Sequence, residues 1–168
     1  MNDLMQDNGE IDDDNPLLLV EDIAQTNQWN LERRSADEIV VEIPGHWCTY
    51  LAYFTWRDDA EALHIACCFD LVVPEAIRPR MYELLAKCNE QLWIGHFGLW
   101  QDENMPLFRH TLLFGGDAPP ATEQFEELIE IAICECERFF PAFNFVLADD
   151  KTPDEALASS MLEPVGQA

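Results

Sequence analysis

The chain has 168 residues, of which 33 are acidic and nine basic, for a formal net charge of −24. With base this scarce, no Lys/Arg cluster is left to displace counterions from a phosphate backbone, which excludes nucleic acid as a partner, and an anionic membrane surface is disfavoured for the same reason. Nearly half the residues, 48%, are apolar, enough for one folded domain with a real core.

Residues 1–14 are polar and acidic and read as a disordered arm. They lack an apolar run behind a basic start, and no stretch of the chain is apolar for long enough to span a bilayer. The expectation is a cytoplasmic protein whose six cysteines are thiols. Asn15-Pro16 then marks a helix start, and Leu17, Leu18, Val20 and Ala24 give a helix reaching about Thr26. From Leu31 the period changes. Leu31–Arg34 and Glu38–Ile43 flank Ser35-Ala-Asp37 as a hairpin, Pro44-Gly45 turns, and Trp47–Trp56 and Leu63–Phe69 complete a four-stranded meander.

Pro74–Gln91 is helical, with Ile77, Met81, Leu84, Leu85 and Cys88 on one stripe and Pro79 either starting or kinking the helix. Strands over Leu92–Trp100 and Pro106–Phe114 follow, joined by Gln101-Asp-Glu-Asn104. Thr122 caps the strongest helix, whose face carries Phe125, Leu128, Ile129, Ala132, Ile133, Cys136, Phe139 and Phe140, and which Pro141 bends or ends. Thr152-Pro-Asp-Glu155 is a capping-box pattern that opens a short last helix. The fold class is α+β: an antiparallel sheet of five or six strands with helices packed on it, in the order α-β-β-β-β-α-β-β-α plus the C-terminal helix. One domain spans 15–148 and a tail spans 149–168.

Strands with one wet face should alternate apolar and polar residues, and here they barely do. In the third strand Trp47, Leu51 and Tyr53 oppose Tyr50, Ala52, Phe54 and Trp56. Helices cover one face, so the other needs a homodimer, another protein, or the segment 141–165 folded back. The candidate protein-binding face is assigned to Tyr50, Phe54 and Trp56.

Chemistry-bearing motifs are missing. Cys134-Glu-Cys136 has the wrong spacing for zinc, Cys67-Cys68 alternate across a strand, and no nucleophile elbow or phosphate loop occurs. Neither a catalytic residue nor a cofactor is assigned. The alternative to a binding module is a ligand sensor or enzyme with a pocket around His96, Arg109 and His110, where Arg109 is a charge inside an otherwise apolar strand.

The segment Asn89-Glu-Gln-Leu-Trp-Ile-Gly-His-Phe97 resembles the central signature of the YbjN family of bacterial proteins. So do Phe108-Arg-His110, Glu135-Cys-Glu-Arg-Phe-Phe-Pro-Ala-Phe143 and Met161-Leu-Glu163, with Trp29, Gly45 and Trp47. The likeness covers roughly residues 15–165. It implies a regulator of sensory transduction with no defined reaction, and a fold similar to type III secretion chaperones, which are small acidic dimers that hold a protein segment. It carries over no catalytic residue. The segment after Pro141 departs from those chaperones.

Overall fold

The computed structural model describes residues 15–115 and 120–162; the arm expected over residues 1–14 lies outside them. Helix α1 spans Leu17–Thr26, started by the Asn15 side chain, whose Oδ1 accepts from the Leu17 N–H at 2.9 Å. Its buried stripe is Leu17, Val20, Ile23 and Ala24. Six strands follow its lead into one sheet: β1 (Asn30–Arg33), β2 (Glu38–Pro44), β3 (Thr49–Arg57), β4 (Ala62–Cys68), β5 (His96–Trp100) and β6 (Met105–Leu113). Their order is β1-β2-β3-β4-β6-β5, and every neighbouring pair is antiparallel. The α+β class and the element order expected from the sequence are both present.

Three helices lie on one face of this sheet. Helix α1 packs on β1–β3, α3 (Thr122–Ala148) on β4 and β6, and α2 (Arg78–Asn89) on β5. Helix α2 begins at Arg78 with Pro79 in its first turn, where a missing N–H costs nothing, so there is no kink from Pro79. The core between layers takes Ile39, Val41, Tyr50, Ala52, Phe54, Leu63, Ile65, Cys67, Phe97 and Phe108 from the sheet and Leu84, Phe125, Leu128, Phe139 and Phe143 from the helices. Helix α4 (Pro153–Ser160) starts with the expected capping box. The Thr152 Oγ1 accepts from the Glu155 N–H at 3.3 Å, and a Glu155 carboxylate oxygen accepts from the Thr152 N–H at 3.0 Å. It packs on α2 and α3, pinned by a Lys87–Asp154 ion pair at 2.8 Å. The described part of the C-terminal segment therefore adds to the helix layer and does not cross to the other face of the sheet.

Two expectations are corrected. Thr122 is the first residue of α3, and the N-cap position belongs to Ala121. The strand expected from Leu92 starts only at His96, because residues 90–95 make a loop. Asn89 ends α2 and holds this loop with its side chain. Its Nδ2 donates to the Phe97 carbonyl at 3.0 Å and its Oδ1 accepts from the Phe97 N–H at 2.6 Å. Gly95 takes φ +70°, with the Phe108 ring and the Arg109 carbonyl against its Cα, so a side chain there would be both strained and blocked.

Helix α3 continues past Pro141 to Ala148, so Pro141 does not end it. A proline inside a helix frees the carbonyl four residues earlier, here that of Glu137. The Trp47 Nε1–H donates to that oxygen at 3.2 Å, and the Trp47 ring stacks on Phe140 at 5.9 Å. The β2–β3 turn thus supplies the hydrogen bond that the helix cannot make.

Candidate functional site

The sheet face turned away from the helices carries Leu51, Tyr53 and Thr55 of β3, Ala62, His64, Ala66 and Cys68 of β4, and Met105, Leu107, Arg109 and Thr111 of β6, by strand parity and register. No helix among the described residues covers it. Its centre is apolar. Tyr53 and Trp100 meet edge-to-face at 5.4 Å, reaching over β4 and β6 from the strands on either side. On the two strands they bridge, Cys68 and Leu107 are buried, yet neither belongs to the core beneath the helices. The guanidinium of Arg34 lies 5.1 Å from the centre of the Tyr53 ring.

Arg109 sits beside this apolar centre, opposite His96 on β5. Its Nε is buried and makes no hydrogen bond, and among the described residues no carboxylate lies within ion-pair distance of it. The His64 Nδ1 lies 2.9 Å from the Thr111 Oγ1 on the same face. Burial lowers the His64 pKa below the ordinary imidazole range, and Arg109, His96 and His110 push the same way.

The residues assigned from the sequence are redistributed. Tyr50 and Phe54 have no exposure at all and lie under the helices, while Trp56 packs at the edge of the same core against Phe114 at 6.1 Å. The binding face assigned to them is therefore on the wrong side of β3, and the residues on the uncovered side are Leu51 and Tyr53. Both sides of that strand are apolar, so its own pattern gives no preference. Burial, with smaller pushes from Cys48 and Glu137, holds the Tyr50 phenol far above its ordinary range.

His96, Arg109 and His110 do not converge. His96 and Arg109 are cross-strand neighbours on the uncovered face, whereas His110 pairs with Ile65 and points to the helix side. The parity of β6 was the usable signal: a charge at Arg109 marks its face as the one without helices, and Met105, Leu107 and Thr111 follow by twos. Trp93 was also missed as an exposed residue. At 99% exposure it stands at the tip of the loop that Asn89 and Gly95 hold.

A separate groove of about 340 Å³ lies between α1 and α3, lined by Ile23, Trp29, Ile43, Ile129 and Ile133 and rimmed by Glu126 and Glu130. Among the described residues no three His, Cys, Asp or Glu side chains lie together as a metal ion would need. No described helix is long and apolar enough to cross a membrane.

A family model for YbjN, described as "putative bacterial sensory transduction regulator", matches residues 16–145. The chain belongs to the YbjN family. The match takes in all six strands, α1, α2 and most of α3, and so the entire uncovered face and the Asn89–Phe97 loop. No curated protein matches the chain.

Proposed function

We propose that this YbjN protein is a non-enzymatic binding module that regulates by holding another polypeptide against the uncovered face of its sheet. The observation that carries this reading is the Tyr53–Trp100 pair beside Arg109 on a face without a helix layer. Aromatic rings and arginine are the residues that dominate protein–protein contacts, because they bury much area at little entropic cost. A fixed aromatic pair, a neighbouring guanidinium that makes no ion pair among the described residues and polar rims on both sides suit a protein surface, and a hollow of about 360 Å³ lined by Glu42, Thr49, Leu51, Phe69, Asp70 and Met105 gives such a partner a place to seat a side chain. The description of the family as regulatory agrees with action by association. Six thiols suit work in the cytoplasm.

The test is affinity capture with the full chain at low and at moderate salt, wild type against Tyr53→Arg. The expected result is one stoichiometric associated polypeptide, lost in the variant while its melting temperature is kept. Association that survives Tyr53→Arg, or none at either salt, contradicts the reading.

A further inference from the structure

The groove of about 340 Å³ between α1 and α3 lies on the helix side of the sheet, away from the uncovered face. Two rows of α3 side chains run along it. Ile129 and Ile133, one turn apart, form an apolar wall, with Ile23 of α1 and Ile43 of β2 beside them. Glu126 and Glu130, also one turn apart, form the rim, and both are exposed. Each glutamate stands three residues before one of the isoleucines, so the two rows are neighbours on the helix surface. Among the described residues neither glutamate is in an ion pair. Like charges at this spacing weaken a helix, and the one base within α3, Arg138, pairs with Glu135.

We propose that this groove takes a basic amphipathic helix of a partner protein. The helix lies along α3, with apolar residues on Ile129 and Ile133 and a Lys or Arg on each of Glu126 and Glu130. The proposal does not depend on the reading of the uncovered face, from which the sheet separates this groove. A helix in a groove is read by anchors three or four residues apart. That is the spacing at which α3 offers both its isoleucines and its glutamates, so one turn of the partner matches one turn of α3 in both rows.

Charge selects this occupant. A purely apolar ligand would strip water from two carboxylates and give them nothing in return. A cation beside the apolar anchors offsets that loss with charge-assisted hydrogen bonds. An acidic segment is repelled by the rim, and this includes the chain's own residues 1–14, which hold six acids and no base. The net charge of −24 draws basic segments in from a distance. That attraction is spread over the surface, whereas Glu126 and Glu130 are the acids that line the groove.

The probe is a synthetic peptide of about 15 residues, with leucine along one helical face and lysine on its flanks. A counterpart carries glutamate in place of lysine. Fluorescence anisotropy follows both on the full chain at about 0.15 M salt, where distant charges are screened. Wild type is expected to bind the lysine peptide and not the glutamate peptide. Glu126→Lys combined with Glu130→Lys weakens the lysine peptide by about tenfold or more. Glu123→Lys combined with Glu127→Lys makes the same change of net charge on the same helix but off the groove, and weakens it by no more than about twofold. Ile133→Asp, in the apolar wall, also lowers binding, and Tyr53→Arg, on the other side of the sheet, leaves it as in wild type. Equal losses in the two paired variants mean diffuse attraction alone and overturn the proposal. So do a lysine peptide that does not bind wild type and binding that Ile133→Asp leaves undiminished. A loss in Tyr53→Arg would put the peptide on the sheet face, and a preference for the glutamate peptide would put an acidic segment such as residues 1–14 in the groove; either overturns the proposal as well.

Discussion

The Trp47 indole N–H donates to the backbone carbonyl of Glu137, 90 residues away, and so completes a helix that Pro141 interrupts. The same glutamate accepts the His46 N–H through its side chain at 2.7 Å, and Gly45 leaves the room that this contact needs. The β2–β3 turn and α3 are thereby one unit, which ties the sheet to the helix layer and leaves the opposite face free. The unit gives a coupling prediction. Trp47→Phe keeps the stacking on Phe140 but leaves the Glu137 carbonyl unpaired, at a cost of about 1–3 kcal/mol. In a Pro141→Ala background the helix recovers its own bond, and the same change costs about 1 kcal/mol less. A double-mutant cycle by urea denaturation checks this; additive effects contradict it.

The Asn89–Phe97 segment divides into structural residues and one exposed residue. Asn89→Ala removes both hydrogen bonds to Phe97, and a loss of about 1–3 kcal/mol is expected. Gly95→Ala adds left-handed strain to a clash with the Phe108 ring and loses about 2–4 kcal/mol. Trp93→Ala changes stability by no more than about 0.5 kcal/mol, since its ring touches almost nothing. Denaturation midpoints of the three variants give the order; a large loss in Trp93→Ala breaks it.

Thiol reactivity follows burial. Cys134 is the exposed cysteine, and partial burial together with Glu130, Glu135 and Glu137 raises its pKa. Iodoacetamide at neutral pH is expected to modify Cys134 first, and slowly. Burial pushes Cys68 and Cys88 up to about 12, so they stay protonated while the thiols of an unfolded chain ionise near pH 8.5. Their contribution to stability is whole below that pH and is lost as pH rises toward 12. Peptide mapping that finds Cys68 or Cys88 alkylated in the native state as fast as Cys134 contradicts this packing.

At acid pH the histidines act in the opposite sense. Burial first, then the neighbouring Arg109, His96 and His110, lowers the folded pKa of His64, so the fold favours the neutral ring. That stability is present above the ordinary value near 6.5 and is lost as pH falls through the lowered one. Melting temperature is expected to drop between about pH 7 and 5, and His64→Gln to make the drop shallower. An unchanged slope in the variant removes His64 from the account.

Most of the architecture was legible in the sequence, because the helix stripes, the turn residues and the strand periods agree with one another. What escaped depended on contacts distant in the chain. Pro141 looks like a helix end until Trp47 reaches Glu137, and Leu92–Gly95 looks like a strand until Asn89 bonds to Phe97. The choice between the two faces of β3 escaped for another reason. Tyr50, Phe54 and Trp56 are as apolar as Leu51 and Tyr53, so hydrophobicity alone gives no side. The charge at Arg109, followed through the β4–β6 register to Ala66 and Tyr53, carries that information.

The central claim, that the uncovered face is where this protein binds, is tested most directly by comparing the two tyrosines of β3. Tyr53→Arg and Tyr50→Phe are each compared with wild type for affinity capture of an associated polypeptide at low and at moderate salt. The account predicts that Tyr53→Arg loses association with its melting temperature kept, and that Tyr50→Phe, which retains the ring filling the core, associates as wild type does. Undiminished association in Tyr53→Arg would contradict it.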